Sequence, residues 1–196
     1  ALPWREVGAF MQELRTMPGT TALATEFIIL TNCRTSEAIE ARWSEIDMQE
    51  KRWTIPAARM KAAKEHTIPL SDAALAVLQR AKAESKESEF IFPGGKKNTP
   101  LSNMACLALL KRMGRGVLTV HGFRSSFRDW AGESTAHPRE VIEHAMSHQL
   151  KDKAEAAYAR GSLLERRRVL MADWAQYCAQ PAAAGVVVPL QSAKSA

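Results

Sequence analysis

The chain has 196 residues, enough for one domain with a substantial core or at most two small ones. Hydrophobic residues make up 46% of it, which excludes an intrinsically disordered protein, and no stretch approaches the roughly 20 apolar residues that a membrane-spanning helix needs. Lysine and arginine number 27 against 21 aspartate and glutamate, so the net charge is +6 and favours a polyanionic partner.

The cysteines and the N-terminus bear on the cellular compartment. Cys33, Cys106 and Cys178 are odd in number and far apart, which is typical of reduced thiols in a cytoplasm, and they lack the paired spacing of a zinc site. The first residues lack the basic region and long apolar stretch of a signal peptide. The chain begins without Met and directly in a helical pattern, so we expect that an upstream part has been removed.

The first part of the chain predicts helices followed by a small sheet. Apolar residues recur with a helical period over residues 4–17, and further helices are expected at residues 22–31 and 35–41. Between residues 43 and 70 the pattern changes to short apolar runs bounded by prolines. Antiparallel strands are expected at residues 44–47, 52–56 and 66–70.

The remainder of the chain reads as helical. Ser71 is the expected cap of a helix that reaches about residue 83, and Thr119 and Pro138 have positions typical of helix starts. The S-x-x-E sequence at residues 162–165 has the form of a capping box that opens a long last helix. Other helices are expected at residues 101–113, 138–146 and 151–160. The predicted fold is therefore α+β and predominantly α-helical, with a small three-stranded antiparallel sheet.

The stretch HGFRSSFRDW, residues 121–130, divides into two helical faces. One face carries Phe123, Phe127, Trp130 and Ala131, and the other carries His121, Arg124, Ser125 and Arg128. The aromatic face is expected in the core. His121 and Arg124 lie in the first turn, where free backbone N–H groups and the helix dipole attract anions, so they can bind a phosphate and move a proton. A solvated polar face is the alternative.

Two other places carry isolated polar side chains. Arg34 follows an apolar helix and begins another, and Glu37 is three residues further on and can orient it. A surface ion pair of little energetic value is the alternative there. Tyr158 is flanked by small residues ten positions after His148, which leaves room around its hydroxyl, although an ordinary, partly buried tyrosine would have the same sequence.

Taken in order, these residues resemble a known family. Arg34, Lys61, the His121-x-x-Arg124 pair, His148 and Tyr158 resemble the tyrosine recombinases, the phage-integrase family. HGFRSSFRDWA and AAYARG look most like the integrases of genomic islands and prophages, and the resemblance runs from about residue 4 to residue 178. It implies the tyrosine recombinase catalytic fold for residues 1–180, and for residues 181–196 a tail that is flexible or docks on a neighbouring subunit.

The resemblance also assigns roles to the phosphate-binding groups and the nucleophile. Arg34 and Arg124 match the two arginines that clamp the phosphate, and Glu37 matches the acidic residue that supports the first of them. Tyr158 matches the nucleophile. The family often has Gly two residues before the first arginine, where this chain has Asn32, the next-best residue for a left-handed conformation.

The proton-transferring groups follow in the same way. His121 and His148 match the two histidine positions of the family. Lys61 matches the lysine of the turn between strands, because it stands five residues before the histidine of HTIPL, and Lys64 is its rival for the role of general acid. Basic residues near the site are expected to contact the DNA backbone, with a solvated surface as the alternative for each. These residues are Arg59, Lys64, Arg115 and Arg128.

The resemblance implies a site-specific recombinase that integrates or excises mobile DNA through a 3′-phosphotyrosyl intermediate. No cofactor, ATP or metal is expected, because one phosphodiester is exchanged for another and the charged side chains stabilise the transition state. The implied partners are double-stranded DNA attachment sites and accessory DNA-bending proteins. The implied assembly is a monomer for the isolated domain and a homotetramer on paired sites. A bacterial cytoplasm, at the nucleoid and away from membranes, is the expected location.

Three other functions are compatible with parts of the pattern. A type IB topoisomerase has the same catalytic set, and a DNA-binding module without catalysis would need only the basic surface. The histidines of HAMSH, residues 144–148, have the i, i+4 spacing of metal ligands, but the Glu of a zincin motif is missing and no third ligand is evident. Replacing Tyr158 with Phe separates the enzyme from a pure DNA binder.

Overall fold

The computed structural model describes residues 1–84, 87–148 and 163–180. The chain begins with a 3₁₀ turn, Trp4–Glu6, and three helices follow it: α1 (Val7–Arg15), α2 (Thr20–Thr31) and α3 (Thr35–Ile39). The predicted apolar face of the first helix is confirmed, since Val7, Phe10, Met11 and Leu14 are all buried. This face anchors α1 in the core, against α2.

Helix α2 is the centre of the domain. Its residues from Ala22 to Thr31 are buried on every side, which is why the sequence shows an apolar run there without amphipathic spacing. The helix ends at Asn32, which has left-handed backbone angles (φ 53°, ψ 25°). This conformation stops the helix and redirects the chain into α3 within a few residues.

The predicted three-stranded sheet is confirmed within the described residues. Its strands are β1 (Ile46–Asp47), β2 (Arg52–Ile55) and β3 (His66–Pro69), antiparallel in the order β1-β2-β3. Ile55 pairs with His66, so the connection that carries Lys61 and Lys64 leaves from and returns to this end of the β2–β3 pair.

The middle of the chain shows one helix that begins later than predicted. Helix α4 (Asp72–Glu84) begins as expected, because the hydroxyl of Ser71 accepts a hydrogen bond from the backbone N–H of Ala74 at 3.2 Å. Helix α5 (Ala105–Arg112) starts four residues after the predicted position. The backbone N–H of Leu101 instead donates to the carbonyl of Phe92 at 3.2 Å, so this segment pairs with the FIFP run before the helix can begin.

The remaining described helices are α6 (Gly122–Ser134), α7 (Arg139–Ala145) and α8 (Leu163–Ala179). The aromatic face of α6 lies in the core as predicted, where Phe127 and Trp130 pack against Trp174 of α8. The indole N–H of Trp174 donates to the carbonyl of Ile29 at 2.8 Å and ties α8 to α2. The predicted stripe of α8 is also buried: Leu163, Leu170, Met171, Trp174 and Cys178.

These elements confirm the α+β fold class with a helical majority and one small sheet. The three cysteines are buried and free. Among the described helices, none combines the length and apolar character needed to cross a membrane. The predicted helix at residues 151–160, the start of the capping box at residue 162 and the tail at residues 181–196 lie outside the described residues.

Candidate active site

Arg34 is held in place by Glu37 at the start of α3. The buried carboxylate of Glu37 accepts one hydrogen bond from the backbone N–H of Arg34 at 2.8 Å and a second from its Nη1 at 2.7 Å. The side chain of Arg34 remains 28% exposed. A guanidinium has five N–H donors, so this ion pair orients Arg34 and leaves other donors for an anion.

Arg59 supports the Arg34–Glu37 pair through the main chain of Glu37. Its guanidinium donates to the main-chain carbonyl of Glu37 at 3.0 Å and to the carboxylate of Glu45 at 2.9 Å, and only 14% of the side chain is exposed. The sequence predicts that Arg59 contacts the DNA backbone, and this contact stays a prediction. The structure adds an internal role that the sequence reasoning missed, because the contact joins residues 22 positions apart with no shared pattern.

Arg124 lies in the interior, at the first turn of α6. It is 4% exposed, so the alternative of a solvated surface position is wrong for this residue. Its Nη1 donates to the carbonyl of Asn32, and its Nη2 donates to the carbonyl of Met146 at 2.6 Å. Two main-chain acceptors from two different helix ends therefore fix the plane of the guanidinium.

Arg34 and Arg124 come together in the fold. Burial lowers the pKa of Arg124 from its ordinary value, and the nearby positive charge of Arg34 lowers it further. The carbonyl that Arg124 contacts belongs to Asn32, two residues before Arg34 in the chain. Two like charges held close to one another form a site that favours an anion between them.

His121 and His148 lie at the ends of two helices. His121 is exposed at the N-terminus of α6, and within the described part of the chain no side chain makes a hydrogen bond with its ring. His148 follows α7, and its Nδ1 lies 2.7 Å from a carboxylate oxygen of Glu143. The imidazole of His148 is 40% exposed, so its other nitrogen is accessible to a ligand.

The two candidate lysines lie on the exposed connection between β2 and β3. The pKa of His144 is lowered first by burial, then by the charge of Arg167 and then by that of Lys64, so Lys64 lies near enough to His144 for their charges to interact. The described contacts do not decide whether Lys61 or Lys64 is the general acid.

Sequence reasoning missed two residues beside the site, the partly buried His66 and the buried Arg167. His66, at the start of β3, has its pKa lowered to about 3 by burial first and then by the charge of Arg167, with smaller effects from His144, Arg34 and Arg124. Its Nε2 is buried, with no hydrogen-bond partner among the described residues. Arg167 of α8 donates to the carbonyl of Thr67 at 2.7 Å. In the sequence, Arg167 is hidden in the charged run ERRR, which has the appearance of a solvated face.

The other two predicted DNA-contacting arginines form ion pairs. Arg115 pairs with Glu13 at 2.9 Å, and Arg128 pairs with Glu143 at 3.1 Å. Each guanidinium remains about half exposed, so their contacts with DNA stay predictions. Tyr158, the predicted nucleophile, lies outside the described residues. In residues 1–84, 87–148 and 163–180, no group of three or more metal-ligating side chains is found.

The sequence matches the model of a known family. The phage integrase family model matches residues 2–162. The chain belongs to this family. Prophage integrase IntA of Escherichia coli (strain K12) is 47% identical over 149 residues, which cover 75% of this chain and 36% of IntA. The chain spans less than half the length of the curated relatives that it matches.

Solved structures show the same fold. The structure of the lambda integrase catalytic core superimposes with a TM-score of 0.56 at 21% identity and covers 78% of this chain and 93% of that one. A lambda integrase tetramer bound to a Holliday junction gives a TM-score of 0.54 at 21% identity, covering 73% of this chain and 45% of that one. At this level of identity the likeness concerns the fold, and the predicted catalytic-domain fold is confirmed.

Proposed function

We propose that this chain is the catalytic domain of a site-specific DNA recombinase, an integrase of a prophage or genomic island, that cleaves and rejoins DNA through a phosphotyrosyl bond at Tyr158. One observation carries the proposal. Arg34 and Arg124 are 90 positions apart in the sequence, yet the fold holds them close enough for the charge of Arg34 to lower the pKa of the already buried Arg124, and Arg124 donates to the carbonyl of Asn32, two residues before Arg34. Membership of the phage integrase family supports this reading of the site.

The two arginines act on the phosphodiester that is cut. Their N–H donors hold its nonbridging oxygens and stabilise the additional negative charge of the transition state. The same positive field favours the tyrosinate form of Tyr158, whose ordinary pKa of about 10 makes it a poor nucleophile at neutral pH. Glu37 and Arg59 keep Arg34 in position.

The reaction exchanges one ester for another. The phenolic oxygen of Tyr158 forms a bond to phosphorus, and the bond from phosphorus to the 5′-oxygen breaks. His121 takes or relays the phenolic proton, His148 donates to a phosphate oxygen, and Lys61, or its rival Lys64, protonates the leaving 5′-oxygen. The products are a 3′-phosphotyrosyl link and a free 5′-hydroxyl. A second 5′-hydroxyl reverses the step on a new strand, so ATP is not consumed.

The proposed partners follow from the reaction. Strand exchange joins two duplexes, so we place the enzyme on paired attachment sites as a homotetramer, with the isolated domain as a monomer. The net charge of +6 suits a duplex DNA partner. The lambda integrase tetramer on a Holliday junction has the same fold and supports such an assembly. Accessory DNA-bending proteins, a docking role for residues 181–196 and a place at the nucleoid of a bacterial cytoplasm belong to this proposal.

A nicked suicide duplex tests the function. Duplexes that bind the chain are first enriched from a random pool, and a nick is then placed so that the cleaved end diffuses away and traps the covalent complex. The chain contains two tyrosines, so Tyr177→Phe is the matched control for Tyr158→Phe. The wild type and Tyr177→Phe should form the adduct, and Tyr158→Phe should not. An adduct that persists in Tyr158→Phe would overturn the proposal.

The same variants separate the alternatives. A DNA-binding module without catalysis would form no adduct and would be unaffected by Tyr158→Phe in every DNA assay. A type IB topoisomerase would relax supercoiled plasmids of any sequence. The recombinase should act only on plasmids that carry the enriched site, and on two such sites it should exchange strands.

A further inference from the structure

We propose that Glu143 is a positioning residue that fixes the ring of His148, so that Nδ1 faces the carboxylate and Nε2 faces the bound phosphate. The inference rests on the proposed function, in which His148 donates to a phosphate oxygen, and it adds the residue that positions this histidine. It rests on a helix end, on three side chains in contact and on the chemistry of the imidazole ring.

The end of α7 brings Glu143 and His148 together. Ser147 has a left-handed backbone (φ 54°), its N–H donates to the carbonyl of His144 at 3.1 Å, and the N–H of His148 donates to the carbonyl of Glu143 at 3.0 Å. This pattern is a Schellman motif, in which the residue after the left-handed one folds back over the last helical turn. The side chains of Glu143 and His148 are placed beside one another by the backbone alone.

The side chains complete the contact. One oxygen of Glu143 lies 2.7 Å from Nδ1 of His148, and the other lies 3.1 Å from Nη2 of Arg128 on α6. Although burial raises it, the hydrogen bond with His148 and the charge of Arg128 keep the pKa of Glu143 below its usual value. The carboxylate is therefore ionised at neutral pH and can only accept hydrogen bonds.

An ionised acceptor at Nδ1 determines the tautomer of the ring. Neutral imidazole carries one proton, and a carboxylate beside Nδ1 holds the proton on that nitrogen. Nε2 then carries a lone pair, and on further protonation it becomes a hydrogen-bond donor. Arg128 holds the other oxygen of the carboxylate, so this ion pair limits rotation of the Glu143 side chain.

The tautomer can be measured without DNA. In the full chain labelled with nitrogen-15, long-range proton–nitrogen spectra should show His148 protonated on Nδ1 when neutral. Glu143→Ala should convert it to the Nε2–H form. Glu140, on the same helix and paired with Arg166 at 4.0 Å, gives the matched control Glu140→Ala, which should leave the spectrum of His148 unchanged. An unchanged tautomer in Glu143→Ala would overturn the inference.

A double-mutant cycle on adduct formation gives the second test. Glu143→Ala should slow cleavage by about tenfold or more without weakening DNA binding, and the effect should vanish in a His148→Ala background. If Glu143→Ala folds poorly, Glu143→Gln, which preserves the volume of the side chain, takes its place in the cycle, and its effect on cleavage should likewise depend on His148. A loss that persists without His148 would overturn the inference and indicate a role in packing only. These outcomes are independent of Tyr158→Phe, so failure of the inference is distinguishable from failure of the proposed function.

Discussion

The guanidinium of Arg124 donates a hydrogen bond to the main-chain carbonyl of Asn32, 92 residues earlier in the chain. The contact joins the first turn of α6 to the C-terminal end of α2, and it places Arg124 next to the segment that carries Arg34. The carbonyl points toward Arg124 because Asn32 is in the left-handed conformation. The backbone of one residue therefore contributes to the position of both arginines.

The left-handed conformation of Asn32 gives the first prediction. Asn32→Gly should retain the free energy of unfolding and cleavage activity, because Gly adopts positive φ without strain and the buried Asn amide has no partner in the described structure. Asn32→Ala should lower the free energy of unfolding by about 1 kcal/mol and slow cleavage. Urea unfolding and suicide-substrate assays measure both. Equal behaviour of the Ala and Gly variants would contradict the role given to the backbone.

The two bonds of Arg124 to main-chain carbonyls give the second prediction. Lysine has a single ammonium group and cannot reach both acceptors while facing a phosphate, so Arg124→Lys should reduce the cleavage rate by about 10²-fold. Arg112→Lys, on the exposed surface of α5, is the matched control and should be close to wild type. Single-turnover rates at saturating DNA separate a loss of cleavage from a loss of binding. A fully active Arg124→Lys would contradict the clamp.

Substitution of Arg59 tests whether this residue stabilises the fold from inside or only contacts DNA at the surface. Arg59→Met removes the ion-pair partner of Glu45, whose side chain is only 8% exposed, and a donor to the Glu37 carbonyl, so the free energy of unfolding should fall by about 2 kcal/mol even without DNA. Arg52→Met breaks a more exposed ion pair with Asp47, at 3.4 Å, and should change the free energy of unfolding by less than about 1 kcal/mol. If both variants unfold like the wild type, Arg59 does not support Glu37.

His66 makes stability depend on pH. The pKa of His66 is about 3 in the folded chain, whereas its ordinary value is 6.5. At pH values between these two, the unfolded state therefore binds more protons than the folded state. The stabilisation is complete above pH 6.5 and is lost as the pH falls, by about 2 kcal/mol between pH 7.5 and pH 5. Urea titrations should show a smaller loss in His66→Gln, whereas the exposed His121→Gln should behave as the wild type. An equal loss in His66→Gln would show that His66 is not the source of this pH dependence.

Much of the fold could be predicted from the sequence because local signals agree with the packing. The helical period of residues 4–17 matches the face that α1 buries, and Ser71 caps α4 as its side chain predicts. The bounds of α5 could not be predicted, because Leu101 pairs with Phe92 and this contact depends on the tertiary structure. Local propensity gives way where a longer-range hydrogen bond is available.

The candidate site was only partly accessible to sequence reasoning. The arginines, histidines and Glu37 carry a family pattern, so they could be named before the structure. Arg59 was predicted only as a DNA contact, and its internal role could not be predicted, nor could the roles of His66 and Arg167, because they come from burial and from contacts between distant segments. The same holds for Arg128, whose partner Glu143 is on a different helix. A charged side chain has the same appearance in a sequence whether it faces solvent or a buried carboxylate.

The most direct test of the central claim is the identity of the residue that becomes linked to DNA. The trapped complex is digested with nuclease and trypsin, and the peptides are identified by mass spectrometry. Tyr158 lies in the peptide of residues 154–160, AEAAYAR, and Tyr177 lies in a separate peptide that begins at residue 169. Cleavage through Tyr158 predicts the nucleotide mass on residues 154–160 alone. A nucleotide attached to Tyr177, or to any residue other than Tyr158, would contradict it.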